Sequence, residues 1–139
     1  MKYLLDVSIL VAWGWSDHVE HERAVRWIAT ARAQAGTELL TSAIPQLGFV
    51  RVSVQRTGAF ITIGEAGEVL AGLVRSLGDR HVFLADDMSA GDFPAWCESG
   101  RQTTDAHLCQ LAKAHAAELA TLDGGIPGAF LLPFLAKTQ

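Results

Sequence analysis

The sequence predicts an α/β fold, a three-layer α/β/α sandwich in which helices cover both faces of a central parallel sheet. Short apolar runs of strand length alternate with segments of helical periodicity along the whole chain. No internal repeat, charge block or Pro/Gly/Ser-rich linker divides the 139 residues. We therefore expect residues 1–139 to form a single domain. A chain of this length buries about 68% of its unfolded surface and needs no disulfide or zinc to hold a core.

The composition argues against several functional classes. The two cysteines, Cys97 and Cys109, form no Cys-x-x-Cys pair, which disfavours a disulfide framework or structural zinc and favours a reducing cytoplasm. Asp6 interrupts the apolar start of the chain and no cleavage site follows, so a signal peptide is not expected. No apolar run is long enough for a membrane span. The net charge of -4 disfavours a nucleic-acid binder held by bulk positive charge.

The first half of the chain contains two predicted strands and three predicted helices. In chain order they are a strand at 3–5, a helix over 9–15, a helix between 18 and 36, a strand at 38–41 and a helix from 45 to about 55. The second helix is predicted from apolar residues spaced as on one helix face. Gly36 suits its C-terminal end, and Pro45 suits the first turn of the third helix.

The second half repeats the alternation. Thr62 and Glu65 have the spacing of a capping box, and an apolar stripe follows them up to Gly78. Thr103 or Thr104 is expected to cap a later helix. The remaining predicted elements are a strand at 81–85, a loop over 86–101 with a short helix around Pro94, a strand at 119–122 and an edge strand at 130–132.

Three acids stand at predicted strand ends or helix starts. Asp6 ends the first strand, Asp123 follows the strand at 119–122, and Asp105 lies in the first turn of the helix before that strand. The working crevice of a parallel sheet lies beyond the carboxyl ends of its strands, and converging carboxylates there would suit Mg²⁺. Each acid also has a structural interpretation. Asp6 and Asp105 could cap helices or interact with a helix dipole, and Asp123 with Gly124–Gly125 could form only a turn.

The ordered set of motifs resembles the PIN domain family. The opening segment Tyr3–Leu10 is similar to the first strand and motif of the family, in which an aspartate is followed two residues later by Asn, Ser or Thr. Three further segments carry the resemblance: 48–52, similar to VapC-type toxins, 103–115, similar to the central acidic helix, and 119–123, similar to the last acidic strand. The family's fold implies a parallel sheet of order 3-2-1-4-5, with Asp6 facing Asp123 and Asp105 close by.

The resemblance implies a metal-dependent ribonuclease that acts as the toxin of a toxin–antitoxin pair. Asp6, Asp105 and Asp123 would hold Mg²⁺ or Mn²⁺, which polarises a phosphodiester and lowers the pKa of bound water. Ser8 would position Asp6 or a water molecule by a hydrogen bond. The implied partners are an RNA substrate, a cognate antitoxin and a second copy of the chain in a homodimer, all in the cytoplasm.

One position departs from the family pattern. The second acid of the family, usually a glutamate, aligns with Gln46, which keeps an oxygen acceptor but removes a negative charge. Weaker metal binding is expected, although Gln46 could still orient a water molecule. The alternative function is therefore a catalytically weak or inactive module that binds RNA or a protein partner through the same groove.

A third hypothesis is a different α/β phosphate enzyme. A haloacid-dehalogenase-like hydrolase usually has a second aspartate where Ser8 stands. A phosphoaspartate receiver needs a lone aspartate after the third strand, and Asp86 and Asp87 fit that role poorly. These two acids are instead expected to be solvated loop residues at the rim of the crevice.

Overall fold

The computed structural model describes residues 1–136 and contains a five-stranded parallel sheet of order β3-β2-β1-β4-β5. The strands are β1 (Lys2–Leu5), β2 (Glu38–Ser42), β3 (His81–Leu84), β4 (Glu118–Thr121) and β5 (Phe130–Leu131). The predicted α/β class and strand order are therefore confirmed. Residues 137–139 of the predicted domain lie outside the described part of the chain. In this order β1 and β4 are neighbours, with Leu5 paired to Ala120.

Five α-helices connect the strands. They are α1 (Val7–Gly14), α2 (His21–Ala33), α3 (Ala43–Arg56), α4 (Ile63–Leu77) and α5 (Thr103–Ala114). Single 3-10 turns at Gly78–Arg80 and Gly100–Gln102 precede β3 and α5. Among residues 1–136, no helix combines the length and the apolarity needed to cross a membrane.

The predicted helix ends are only partly correct. The capping box of Thr62 and Glu65 is present at the start of α4. Neither Thr103 nor Thr104 caps α5, because the 3-10 turn before it already runs into the helix and places Thr103 in its first turn. Helix α2 ends at Ala33, three residues before Gly36, which lies in the following turn with φ +80°. The segment around Pro94 forms a turn rather than the predicted short helix.

The sheet separates two apolar clusters, as a three-layer sandwich requires. Alternate residues of each strand point to opposite faces, so Leu5 and Leu39 contribute to one cluster and Leu4 and Leu40 to the other. The first cluster is completed by α1 to α4, with Ile9, Ile28, Phe49 and Leu77. The second is completed by α5, with Leu108 and Leu111. Any side chain on the second face therefore lies on the side of α5.

Close packing of α3 against α1 fixes the start of α1. A Cβ atom at Gly48 would lie 2.4 Å from Cγ2 of Val7, so only glycine permits this approach. Val7 directly follows Asp6, the residue that caps α1. The packing of two helices thus holds in place the turn that carries the first of the three acids.

Candidate active site

Asp6 is held by hydrogen bonds from three donors. Its Oδ1 accepts from the backbone N–H of Val7 at 2.8 Å, which is the helix cap of α1. Its Oδ2 accepts from the hydroxyls of Ser8 at 3.1 Å and Thr121 at 2.8 Å. Burial raises the pKa of Asp6, although the hydrogen bonds from Thr121, Ser8 and Val7 act in the opposite direction. The capping interpretation is correct, and the same carboxylate also faces β4.

Ser8 lies where the sequence analysis placed it, in hydrogen-bond contact with Asp6. Its hydroxyl also accepts from the backbone N–H of Leu122 at 3.1 Å. Ser8 therefore ties the first turn of α1 to the end of β4, in addition to contacting Asp6.

Thr121 is a member of this network that the sequence analysis missed. Its hydroxyl donates to Asp6 and accepts from the backbone N–H of Asp123 at 3.0 Å. The side chain therefore links two of the three acids. A polar residue that follows the apolar pair Leu119 and Ala120 and lies two positions before an acid is the signal that could have indicated it.

Asp105 occupies the first turn of α5 and is partly exposed. Burial, followed by the negative charges of Asp6 and Asp123, raises the pKa of Asp105 to about 6. In the sheet, Asp6 and Asp123 follow the neighbouring strands β1 and β4, and Asp105 lines the same cavity as Asp123. Within residues 1–136, Asp105 has no ion pair and accepts no hydrogen bond at its side chain.

Asp123 is exposed and lies two residues beyond β4. Its Oδ1 accepts from the backbone N–H of Gly125 at 2.8 Å, so the turn interpretation of this residue is correct as well. Asp105 and Asp123 both line a cavity of about 590 Å³, together with Trp96 and Arg101. Although Oδ1 of Asp123 accepts the hydrogen bond that forms the turn, the carboxylate remains accessible from this cavity.

Within residues 1–136, Gln46 forms no hydrogen bond with any of the three acids. Its Nε2 donates to the hydroxyl of Thr41 at 3.0 Å, and that hydroxyl lies 2.7 Å from Nε2 of His81. Burial lowers the pKa of His81, which leaves its Nε2 free to accept from Thr41.

Asp86 is not a solvated loop acid, so that prediction is wrong. Its Oδ2 lies 2.7 Å from Nε2 of His107, and both side chains are largely buried. Its Oδ1 accepts from the backbone N–H of Met88. Asp86 and His107 are 21 residues apart, a separation at which local sequence carries no signal of contact. Asp87 is exposed, as predicted.

The donor chemistry of the site suits a hard divalent cation. Within the part of the chain that the structure describes, no three His, Cys, Asp or Glu side chains are arranged as ligands around one point. Mg²⁺, however, is usually held by only one or two carboxylates together with water and substrate phosphate. Asp105 and Asp123 supply two carboxylates to one cavity, and burial together with the charges of Asp6 and Asp123 raises the pKa of Asp105. These residues therefore fit Mg²⁺ or Mn²⁺.

The comparison with protein families shows to which family this chain belongs. The model of the PIN domain matches residues 3–128. The chain belongs to the PIN domain family. This PIN domain is 42% identical over 126 residues to Ribonuclease VapC38 of Mycobacterium tuberculosis, a match that covers 88% of this chain and 86% of the relative. It is 39% identical over 132 residues to Ribonuclease VapC44 of the same species, covering 91% and 89%. The predicted VapC-type resemblance is confirmed.

The PIN domain also resembles a solved structure. The crystal structure of Mycobacterium tuberculosis VapC20, described as a Sarcin-Ricin loop cleaving toxin, matches it with a TM-score of 0.60. The match covers 89% of this chain and 92% of the other, at 15% sequence identity. This likeness supports the fold alone. Because the chain belongs to the PIN domain family, the receiver and dehalogenase hypotheses are rejected.

Proposed function

We propose that this PIN domain is a metal-dependent endoribonuclease that acts as the toxin of a toxin–antitoxin pair. The observation that carries the proposal is one cavity lined by Asp105 and Asp123 beyond the carboxyl end of β4, with Asp6 linked to the backbone of Asp123 through the hydroxyl of Thr121. Carboxylate oxygens that face one cavity are donors that a hard divalent ion prefers. The names of Ribonuclease VapC38 and Ribonuclease VapC44 support RNA as the substrate.

Each residue has a distinct role in the proposed reaction. Ser8 and Thr121 fix Oδ2 of Asp6, so this carboxylate cannot rotate away from the cleft. Asp105 and Asp123 present carboxylates to the cavity and, together with Asp6, would hold Mg²⁺ or Mn²⁺. The bound ion would supply Lewis-acid polarisation of the phosphodiester and a lowered pKa of water. Asp105 must lose its proton to bind the ion, so the affinity of the metal-free protein for Mn²⁺ should rise with pH up to about 6.

The test is cleavage of RNA by the purified full chain in Mg²⁺ or Mn²⁺. We expect cleavage that EDTA abolishes and that Asp6→Ala, Asp105→Asn and Asp123→Asn each reduce at least a hundredfold. Asp87→Asn removes one exposed carboxylate from a loop outside the site and serves as the matched control. Cleavage that persists at the unmodified rate in the three site variants would refute this site.

The glutamine at position 46 favours a second candidate function. In this case the protein would be a catalytically weak module that binds RNA or a protein partner. The amide nitrogen of Gln46 is engaged by Thr41, so the site lacks a fourth carboxylate from this position. Gln46→Glu adds an acid whose carboxylate has no N–H to donate to Thr41. If the protein is such a weak module, the unmodified chain should cleave little RNA, and the Gln46→Glu variant should cleave RNA at least tenfold faster. Robust cleavage without this substitution would exclude the second candidate.

The partners and location follow from the proposed toxin role. We expect the single domain of residues 1–139 to function in the cytoplasm, to bind a cognate antitoxin and to form a homodimer. Light scattering of the purified chain, alone and with the product of a neighbouring short open reading frame, tests both associations. A mass of one chain, 14.9 kDa, under all conditions would contradict the homodimer.

A further inference from the structure

Trp96 separates the candidate active site from a second groove. The indole lines the cavity of about 590 Å³ that contains Asp105 and Asp123. It also lines a neighbouring cavity of about 480 Å³, whose walls include Pro94 and Pro127. The two cavities therefore share an aromatic side chain. A ligand that extends from the acids into the second groove would pass over Trp96.

The floor of the second groove is a face of α5 that starts beside the acids. Ala106, Cys109 and Lys113 line this groove and are spaced three and four residues apart, which places them on one helix face. Ala106 directly follows Asp105. The groove therefore leads along α5 from the candidate site toward Lys113, near the end of the helix.

A cation lies toward each end of this path. Arg101 lines the cavity that holds the acids, and Lys113 lines the far part of the groove. Both residues are exposed, and neither forms an ion pair with another residue of the range 1–136. Arg101 lies in the 3-10 turn before α5 and Lys113 lies in the last turn of α5, so they are separated by roughly the length of this helix, about 18 Å. This separation is longer than one nucleotide, so the two cations suit phosphates of one strand.

Trp96 is suited to stacking rather than to complete burial. The indole is half-buried and packs on one side against the cluster beneath α5. Its Nε1 makes no hydrogen bond to the rest of the described chain, residues 1–136. Glu98 and Glu118 line the same two cavities as Arg101 and Lys113, so the contribution expected of this groove is mainly stacking on Trp96, for which every base of a single strand offers a face.

We propose that the groove along α5 binds the single-stranded RNA that flanks the scissile phosphate, with a base stacked on Trp96 and phosphates bound by Arg101 and Lys113. This inference rests on the proposed ribonuclease function and adds a substrate subsite to it. The net charge of -4 disfavours non-specific binding of RNA by the surface as a whole. Trp96 would then influence which base is accepted next to the cleavage position.

The test measures binding without cleavage. Fluorescence anisotropy with a labelled decamer of uridine, in EDTA and at several salt concentrations, reports the affinity of the unmodified full chain and its variants. We expect Trp96→Ala to weaken binding about tenfold or more and Trp96→Phe to retain most of it, since stacking requires only an aromatic ring. A Trp96→Ala affinity equal to that of the unmodified protein would overturn the proposal.

The two cations provide a test that does not depend on the packing of Trp96. We expect Lys113→Gln and Arg101→Gln each to reduce the slope of log K against log salt by about 0.7. Arg32→Gln, an exposed change of the same charge on α2, across the sheet from α5, is the matched control and should leave the slope unchanged. Slopes that match the Arg32→Gln value in both variants would overturn the proposal.

A competitor distinguishes RNA from an acidic protein segment as the occupant. We expect unlabelled uridine decamer to displace the probe and a decamer of glutamate, which has charge but no bases, to do so at least tenfold less well. Equal displacement by both would overturn the assignment to RNA. Because none of these measurements requires cleavage, loss of the proposed catalytic function and loss of the proposed groove are separable results.

Discussion

The hydroxyl of Thr121 donates a hydrogen bond to Oδ2 of Asp6 at 2.8 Å, joining residues 115 positions apart. Thr121 is the last residue of β4, and Asp6 directly follows β1, so the contact crosses two adjacent parallel strands. The same hydroxyl accepts the backbone N–H of Asp123. One side chain thus orients two of the three acids of the candidate site.

Thr121→Val is expected to weaken Mn²⁺ binding by about 10- to 100-fold, the usual effect of removing a group that orients a metal ligand. Without this donor the pKa of Asp6 rises further, and its carboxylate is less well fixed. Titration calorimetry with Mn²⁺ measures the change. Thr121→Ser keeps the hydroxyl and should keep the affinity. Equal affinities in the valine and serine variants would contradict this role of the hydroxyl.

Asp105→Asn is expected to stabilise the metal-free protein at pH 7.5 while it abolishes activity. The pKa of Asp105 is raised from 3.8 to about 6 in the folded protein, so the stability present below about pH 4 is lost as pH rises through about 6. Asparagine does not ionise and avoids this loss. We expect a gain of about 1 kcal/mol, a value discounted because Asp105 is partly exposed.

Urea unfolding in EDTA at pH 4 and pH 7.5 measures this effect. The difference between Asp105→Asn and the unmodified protein should disappear at the lower pH. Asp79→Asn, which changes an exposed acid outside the site, should show no difference at either pH. A destabilising effect of Asp105→Asn at pH 7.5 would show that the carboxylates do not repel one another.

Gly48→Ala is expected to destabilise the fold by about 1–3 kcal/mol, the usual cost of overpacking. The added Cβ would lie 2.4 Å from Cγ2 of Val7, a branched side chain that cannot move away freely. Thermal unfolding measures the effect. Gly67→Ala, on α4, adds a Cβ that meets no atom within 4 Å and should stabilise the helix by about 0.5–1 kcal/mol. A melting temperature that rises in both variants would contradict the close approach of α1 and α3.

Asp86→Ala is expected to cost about 1–3 kcal/mol of unfolding free energy. Among residues 1–136, Nδ1 of the buried His107 ring already has no hydrogen-bond partner, and the substitution removes the partner of Nε2. Urea unfolding measures the loss. Asp87→Ala, at the exposed neighbouring position, should change stability by less than about 0.5 kcal/mol. Equal stabilities in the two variants would show that the buried pair does not hold the loop after β3.

Most of the fold could be predicted from the sequence because its signals are local. The apolar stripe after Thr62 and the apolar runs before Asp6 and Asp123 each lie within one element. Helix α5 and the capping box of α4 illustrate the limit of such signals. The capping box forms as predicted, whereas the cap of α5 does not, because a 3-10 turn that the sequence does not indicate precedes the helix.

By itself, the sequence determined the α/β class and the three acids, Asp6, Asp105 and Asp123, since each acid adjoins a recognisable strand or helix. Only the tertiary structure decided that Thr121 binds Asp6 and that the amide of Gln46 faces Thr41. Both outcomes depend on which donors meet which acceptors across the sheet. Hydrophobic periodicity specifies the face on which a side chain lies, but it carries no information about partners from distant segments.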